Sequence, residues 1–278
     1  MRAVVAGVTA GLALALAGCG GGGGDPQRAL AETANNLEQI RSGTMTVKLE
    51  IDPRGDVEAE RFGFEINGPF AFRDRGSPLA DVEYTQRVGD NEATVKIVST
   101  GDRAFVVVDD QAYELPEDRA AGLRSAGAAL GSDGGLSRFE IDDWVKGGEL
   151  EDGDEIGGDE TDKVEAELDV VSAVNDLIEL AGAFGRPGLR PLRGADAEQL
   201  EEAVESSKLE LWTGKDDRLL RRLKLELEFG FDVPEVLRRS FGEIVGAKVM
   251  FELGVERPNE PVRVAAPENP RPYSELER

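Results

Sequence analysis

The chain has 278 residues, with 56 Asp or Glu against 32 Lys or Arg and a net charge of −24 at pH 7. So acidic a surface repels phosphate backbones and anionic headgroups, which argues against a nucleic-acid partner and against electrostatic adsorption to a membrane. There is no histidine and a single cysteine, which removes Ser-His-Asp and Cys-His catalysis, most zinc sites and any intramolecular disulfide; a protein that is not an enzyme and carries no cofactor or metal is expected.

Arg2 is the one charged side chain before Asp25, and Ala3 to Ala17 is apolar or small throughout. A short positive region followed by an apolar one is the pattern of an export signal. As a membrane span the stretch falls short of the roughly 20 apolar residues needed. It ends in Leu16-Ala17-Gly18-Cys19, which resembles the lipobox of bacterial lipoproteins. That resemblance implies a signal peptide over 1–18, acylation of the Cys19 sulfur and cleavage before it. Two or three acyl chains, at about 0.8 kcal/mol per buried methylene, anchor a protein stably. Gly20 to Gly24 give residues 19–25 the composition of a flexible tether. The expected location is the outer face of the cell membrane, with the lipid anchor as the membrane contact.

Asp25-Pro26 opens a helix as an N-cap followed by Pro; Leu30, Ala34, Leu37 and Ile40 share its apolar face, and Gly43 is placed for a C-cap. From Ser42 the period becomes two, with Met45, Val47, Leu49 and Ile51 on one face. Phe62, Phe64 and Ile66 repeat it, Asn67-Gly68 signals a turn, and Phe70 and Phe72 resume it. Val82 to Val88, Ala93 to Thr100, Arg103 to Asp109 and Gln111 to Leu115 continue an antiparallel meander.

Glu117 to Leu130 and Leu136 to Trp144 read as helical pieces around the glycine run Gly131 to Gly135. Strands are expected at Glu149 to Ile156 and Thr161 to Asp169, then helices through Val171 to Phe184 and Ala195 to Ser206. Leu219 to Phe231 and Val245 to Val255 alternate clearly as strands, and Leu237 to Phe241 between them reads as a lid or membrane-facing rim ahead of an ordinary loop. The acidic run Glu149 to Glu155 lacks EF-hand spacing and reads as a solvated turn. Five prolines from Pro258 on make 258–278 a rim segment or a loose tail.

One-sided strands need a cover, and amphipathic helices supply it. The element order, with Ser42-Gly43-Thr44-Met45-Thr46-Val47, Phe105 to Pro116, Trp144, Ile156 to Val164 and Leu209 to Leu219, resembles the LppX/LprG-type lipoproteins, similar in fold to the carriers LolA and LolB. Lys163 stands where that pattern leads one to expect Gly. The resemblance implies one α+β domain over 26–257: a large curved antiparallel sheet, or half-barrel, with helices covering its concave face. It also implies binding or carriage of an acylated lipid, with Phe62, Phe64, Phe70, Phe72, Phe105, Leu225, Leu227, Phe229 and Phe251 lining the cavity. Periodicity alone does not separate a cavity wall from a filled core. The alternative is a structural or interaction lipoprotein with a filled core, acting through its acidic surface.

Overall fold

The computed structural model describes residues 25–54, 60–73, 76–122, 141–183, 190–230 and 246–276. The export signal, Cys19, the glycines after it, the run at Gly131, the Leu237–Phe241 segment and Val245 lie outside the described residues.

Helix α1 (Pro26–Asn36) starts as the sequence indicates, with the Asp25 carboxylate accepting from the Gln27 N–H at 3.1 Å and Pro at the first helical position. It ends earlier than expected, in a 3₁₀ turn at Leu37–Gln39, because Ser42 and Gly43 already belong to strand β1 (Ser42–Pro53). Gly43 is not a helix cap. A Cβ there would lie 2.8 Å from the Glu256 carbonyl oxygen, so its role is close approach to the neighbouring strand.

The meander continues through β2 (Phe62–Ala71), β3 (Leu79–Val88), β4 (Asn91–Thr100), β5 (Ala104–Val108) and β6 (Gln111–Glu114). Asn67-Gly68 does not turn the chain, since β2 runs through it and pairs Gly68 with Met45 of β1. A Cβ at Gly68 would fall 2.4 Å from the Asp81 carbonyl oxygen; the glycine admits the neighbouring strand's backbone. The second half comprises β7 (Val145–Asp152), β8 (Thr161–Leu168), α2 (Val170–Ala183), α3 (Ala195–Ala203), β9 (Val204–Gly214), β10 (Leu220–Phe229) and β11 (Ala247–Glu256). Strand β7 starts at Val145, so Trp144 closes the turn before it, and the turn into β8 is at Ile156–Asp159, with Gly157 and Gly158 both at positive φ.

Every one of these strands joins one sheet, in the order β12-β6-β5-β4-β3-β2-β1-β11-β10-β9-β8-β7, where β12 is Arg271–Pro272. The two chain halves meet where β1 pairs β11 in register from Thr44↔Glu256 to Pro53↔Ala247. The sheet is mixed, because β12 lies parallel to β6 while the other pairings are antiparallel. It is also open, which corrects the half-barrel expected from the resemblance. Among the described residues the end strands β7 and β12 have one partner each and do not pair with each other, and the sheet is neither closed nor curled into a half-barrel. The alternation of apolar residues reports which face of a strand is buried, and says nothing about how far the sheet curls.

Among the described residues, the helices pack over one part of the apolar face. Leu30, Leu37 and Ile40 from the α1 region, Ala173 and Ile178 from α2, and Leu200 from α3 pack with Val164, Leu209, Leu211, Leu223, Leu225, Leu253 and Val255. The packed core thus sits over β8–β11 and the start of β1. A buried hydroxyl pair, Thr33 Oγ1 to Thr213 Oγ1 at 2.8 Å, fixes α1 to β9. The proline-rich segment is ordered along the sheet through 276: the Asn259 N–H donates to Ser42 O at 2.8 Å, the Ser42 hydroxyl donates to Glu260 O at 2.7 Å, and β12 then lines the free edge of β6.

Candidate functional site

Residues directly opposite each other in antiparallel strands share a face. Following the pairings Phe64↔Leu49, Leu49↔Phe251, Phe251↔Leu225 and Leu225↔Leu209 places Phe64, Leu49, Phe251, Leu225 and Leu209 on one apolar face. The row Phe62↔Ile51↔Val249↔Leu227 runs beside it, and Phe229 continues the alternation. Across five strands spaced about 4.8 Å apart such rows are on the order of 19 Å long.

The two ends of this face differ in cover. Leu209 and Leu225 are buried beneath the helices, whereas Phe62, Phe64, Leu227, Phe229 and Phe251 are half-buried, as are Leu49, Ile51, Ile66, Tyr84 and Val249 beside them. Phe64 and Tyr84 stack with ring centroids 6.3 Å apart. Phe251 and Leu227 also touch the packed core, so the half-buried strip adjoins the part of the face packed under the described helices.

The structure does not bring all the sequence-derived candidates together. Phe70 is 3% exposed and meets Phe72 edge-on at 5.0 Å; both pack with the helical core. Phe105 lies on the opposite face, since it pairs with Val98, which pairs with Asp81. It is fully buried with the Arg103 guanidinium 4.9 Å from its ring centroid. The flanking positions missed from sequence, Leu49, Ile51, Ile66 and Val249, carried the same alternating signal; aromatic character drew the choice to the phenylalanines. Tyr84 was visible as a strand residue but not as part of this surface.

The opposite face is a lattice of charge. Lys163 sits within 3.2 Å of Glu151, 3.0 Å of Glu165 and 2.8 Å of Glu210, while Lys208 bridges Glu165 and Glu210. The hydrogen bond to Glu210, reinforced by those to Glu165 and Glu151, raises the Lys163 pKa well above the ordinary lysine range. Burial pushes the Glu210 carboxyl up, but the hydrogen bonds from Lys163 and Lys208 outweigh it and hold the group below its ordinary value. Trp212 lies within the lattice, 4% exposed, with Lys163, Arg222 and Lys224 each 5.5 Å from its ring centroid. Among the described residues no group of three or more acidic or cysteine side chains is placed to hold a metal ion, and no helix is long and apolar enough to cross a membrane.

No family model and no curated protein matches the sequence. Among solved structures the chain is similar to LprF from Mycobacterium bovis, at 13% identity and a TM-score of 0.49 over 88% of this chain and 99% of that one. It is also similar to a LolA superfamily protein from Nitrosomonas europaea, at 10% identity and a TM-score of 0.23 over 86% of this chain and 96% of that one. Both are distant likenesses below a TM-score of 0.5, and they decide nothing about what this chain binds.

Proposed function

We propose that this chain is a non-enzymatic, exported lipoprotein, anchored to the outer face of the cell membrane through Cys19, that binds the alkyl chain of an acylated lipid on the strip formed by Phe62, Phe64, Leu227, Phe229 and Phe251. The observation that carries the reading is the half-buried apolar strip continuous with a fully packed core. A monomer gains by covering such a surface, at roughly 25 cal/mol per Å² of apolar area removed from water. An alkyl chain is the occupant that needs no polar partner, and the named positions offer it none. The acidic exterior leaves membrane attachment to the covalent lipid, because anionic headgroups are repelled.

The test is to purify the full chain from an exporting host, extract it with organic solvent and analyse the extract by mass spectrometry. The proposal expects a non-covalent acylated lipid near one per chain, in addition to the acyl groups on Cys19. No stoichiometric lipid, together with no uptake of added lipid, would favour the filled-core reading, in which the acidic face carries the interactions. Cys19→Ser is expected to move the protein from the membrane fraction to the soluble envelope fraction without altering uptake of added lipid by the purified chain.

A further inference from the structure

The charge lattice breaks where β11 ends. Several cations along the charged face meet carboxylates, as Arg222 meets Glu252, Lys248 meets Glu226 and Lys96 meets Asp81. Arg257 and Arg263 instead form no ion pair among the described residues, in a chain with a large excess of acid. Both line a cavity of about 200 Å³, together with Gly43, Thr44, Pro69 and Glu260. The pairings Thr44↔Pro69 and Thr44↔Glu256 put this cavity on the charged side of the sheet, opposite the apolar strip.

Its wall is held in place by backbone contacts. Arg257 and Asn259 both have positive φ, at 50° and 65°, a conformation that persists in non-glycine residues where the surroundings enforce it. Here the Asn259 N–H donates to Ser42 O at 2.8 Å, and the Asn259 side-chain oxygen accepts from the Arg41 N–H at 2.9 Å. Arg257 spends one donor, Nη2, on the Thr44 hydroxyl oxygen at 3.1 Å. That leaves the hydroxyl proton and the other guanidinium donors available to a guest.

We propose that this cavity binds a phosphate monoester. Two guanidiniums and a hydroxyl offer more donors than the two oxygens of a carboxylate accept, whereas a phosphate monoester presents three terminal oxygens. Glu260 at the same wall accepts a hydrogen bond from a hydroxyl or ammonium adjacent to the phosphate. The cavity is smaller than the about 300–1,000 Å³ of sites for drug-sized ligands, so it takes the phosphate end of a molecule and no alkyl chain. A soluble ester and a phospholipid headgroup share this chemistry. The site stands apart from the lipid-binding strip: Phe251→Asp removes alkyl uptake and leaves phosphate binding intact.

The experiment is calorimetric titration of the full chain in neutral detergent with glycerol 3-phosphate, and in parallel with dihexanoyl phosphatidic acid, at about 0.15 M salt so that long-range repulsion is screened. Arg257→Gln and Arg263→Gln are each expected to weaken binding by about tenfold or more, as loss of a charge-assisted hydrogen bond does. Arg193→Gln, a change outside the cavity, is expected to leave it unchanged, and circular dichroism confirms that each variant is folded. Arginine-dependent binding of either ester supports the site, and the tighter of the two identifies the source of the phosphate. Binding of neither ester, or equal binding by wild type and both cavity variants, overturns it.

Discussion

Single residues show what holds the two faces apart. Gly68 has a φ of 145°, and a Cβ would meet the Asp81 carbonyl oxygen at 2.4 Å; Gly68→Ala therefore forces two strands apart. We expect it to lower the unfolding free energy by about 1–3 kcal/mol, read as a lower denaturant midpoint at unchanged slope. Glu210 gives a pH signature. Its folded pKa lies below its ordinary value, so its contribution is complete above the unfolded value of about 4.3 and fades as pH falls through the folded value. Glu210→Gln should accordingly be less stable than wild type at pH 7, with the difference shrinking once pH falls below the unfolded value and lost as pH passes below the folded one. Denaturant melts of both proteins across that range check the sign, and a difference that persists at low pH would mean the side chain acts through packing.

Elements show which parts of the sequence signal were local. Helix α1 opens where Asp25 and Pro26 indicate, because N-capping needs two or three consecutive residues. Its end was misplaced because Gly43 answers to Glu256, a residue distant in the chain. Asn67-Gly68 misleads for the same reason: the dipeptide has turn chemistry, while Gly68 is needed for contact with β3. Arg221 was invisible as well. Nothing in the alternation of β10 singles it out, yet it is 3% exposed and joins Asp159 at 2.9 Å to Asp217 at 2.8 Å, clamping two turns together. The proline-rich segment carries no periodicity, yet β12 lines the edge of β6. Truncation before Pro267 uncovers that edge, and unpaired edges template association. We expect the truncated protein to shift toward larger species in size-exclusion chromatography with light scattering; an unchanged profile would show that β6 is protected by other means.

At the scale of the molecule, alternation recovered the strands and the shared face of Phe62, Phe64, Leu225, Leu227, Phe229 and Phe251. It could not report curvature, which depends on strand twist, bulges and what packs on each face, nor the face of Phe105, whose strand follows a separate hairpin. It also could not divide the face into a part under helices and a half-buried part, since that division depends on where α1, α2 and α3 dock. The architecture that results is an open sheet with a charge lattice behind and an apolar face in front, helix-covered at one end and half-buried at the other. The central claim is that the half-buried end takes an alkyl chain. Uptake of a fluorescent fatty acid by the full chain, compared with a Phe64→Asp, Phe251→Asp double variant whose near-ultraviolet circular dichroism is native, tests it most directly. Saturable uptake by the wild type, weakened about tenfold or more in the variant as two desolvated apolar contacts are lost, is the expected result; equal uptake by both, or none by the wild type, would contradict it.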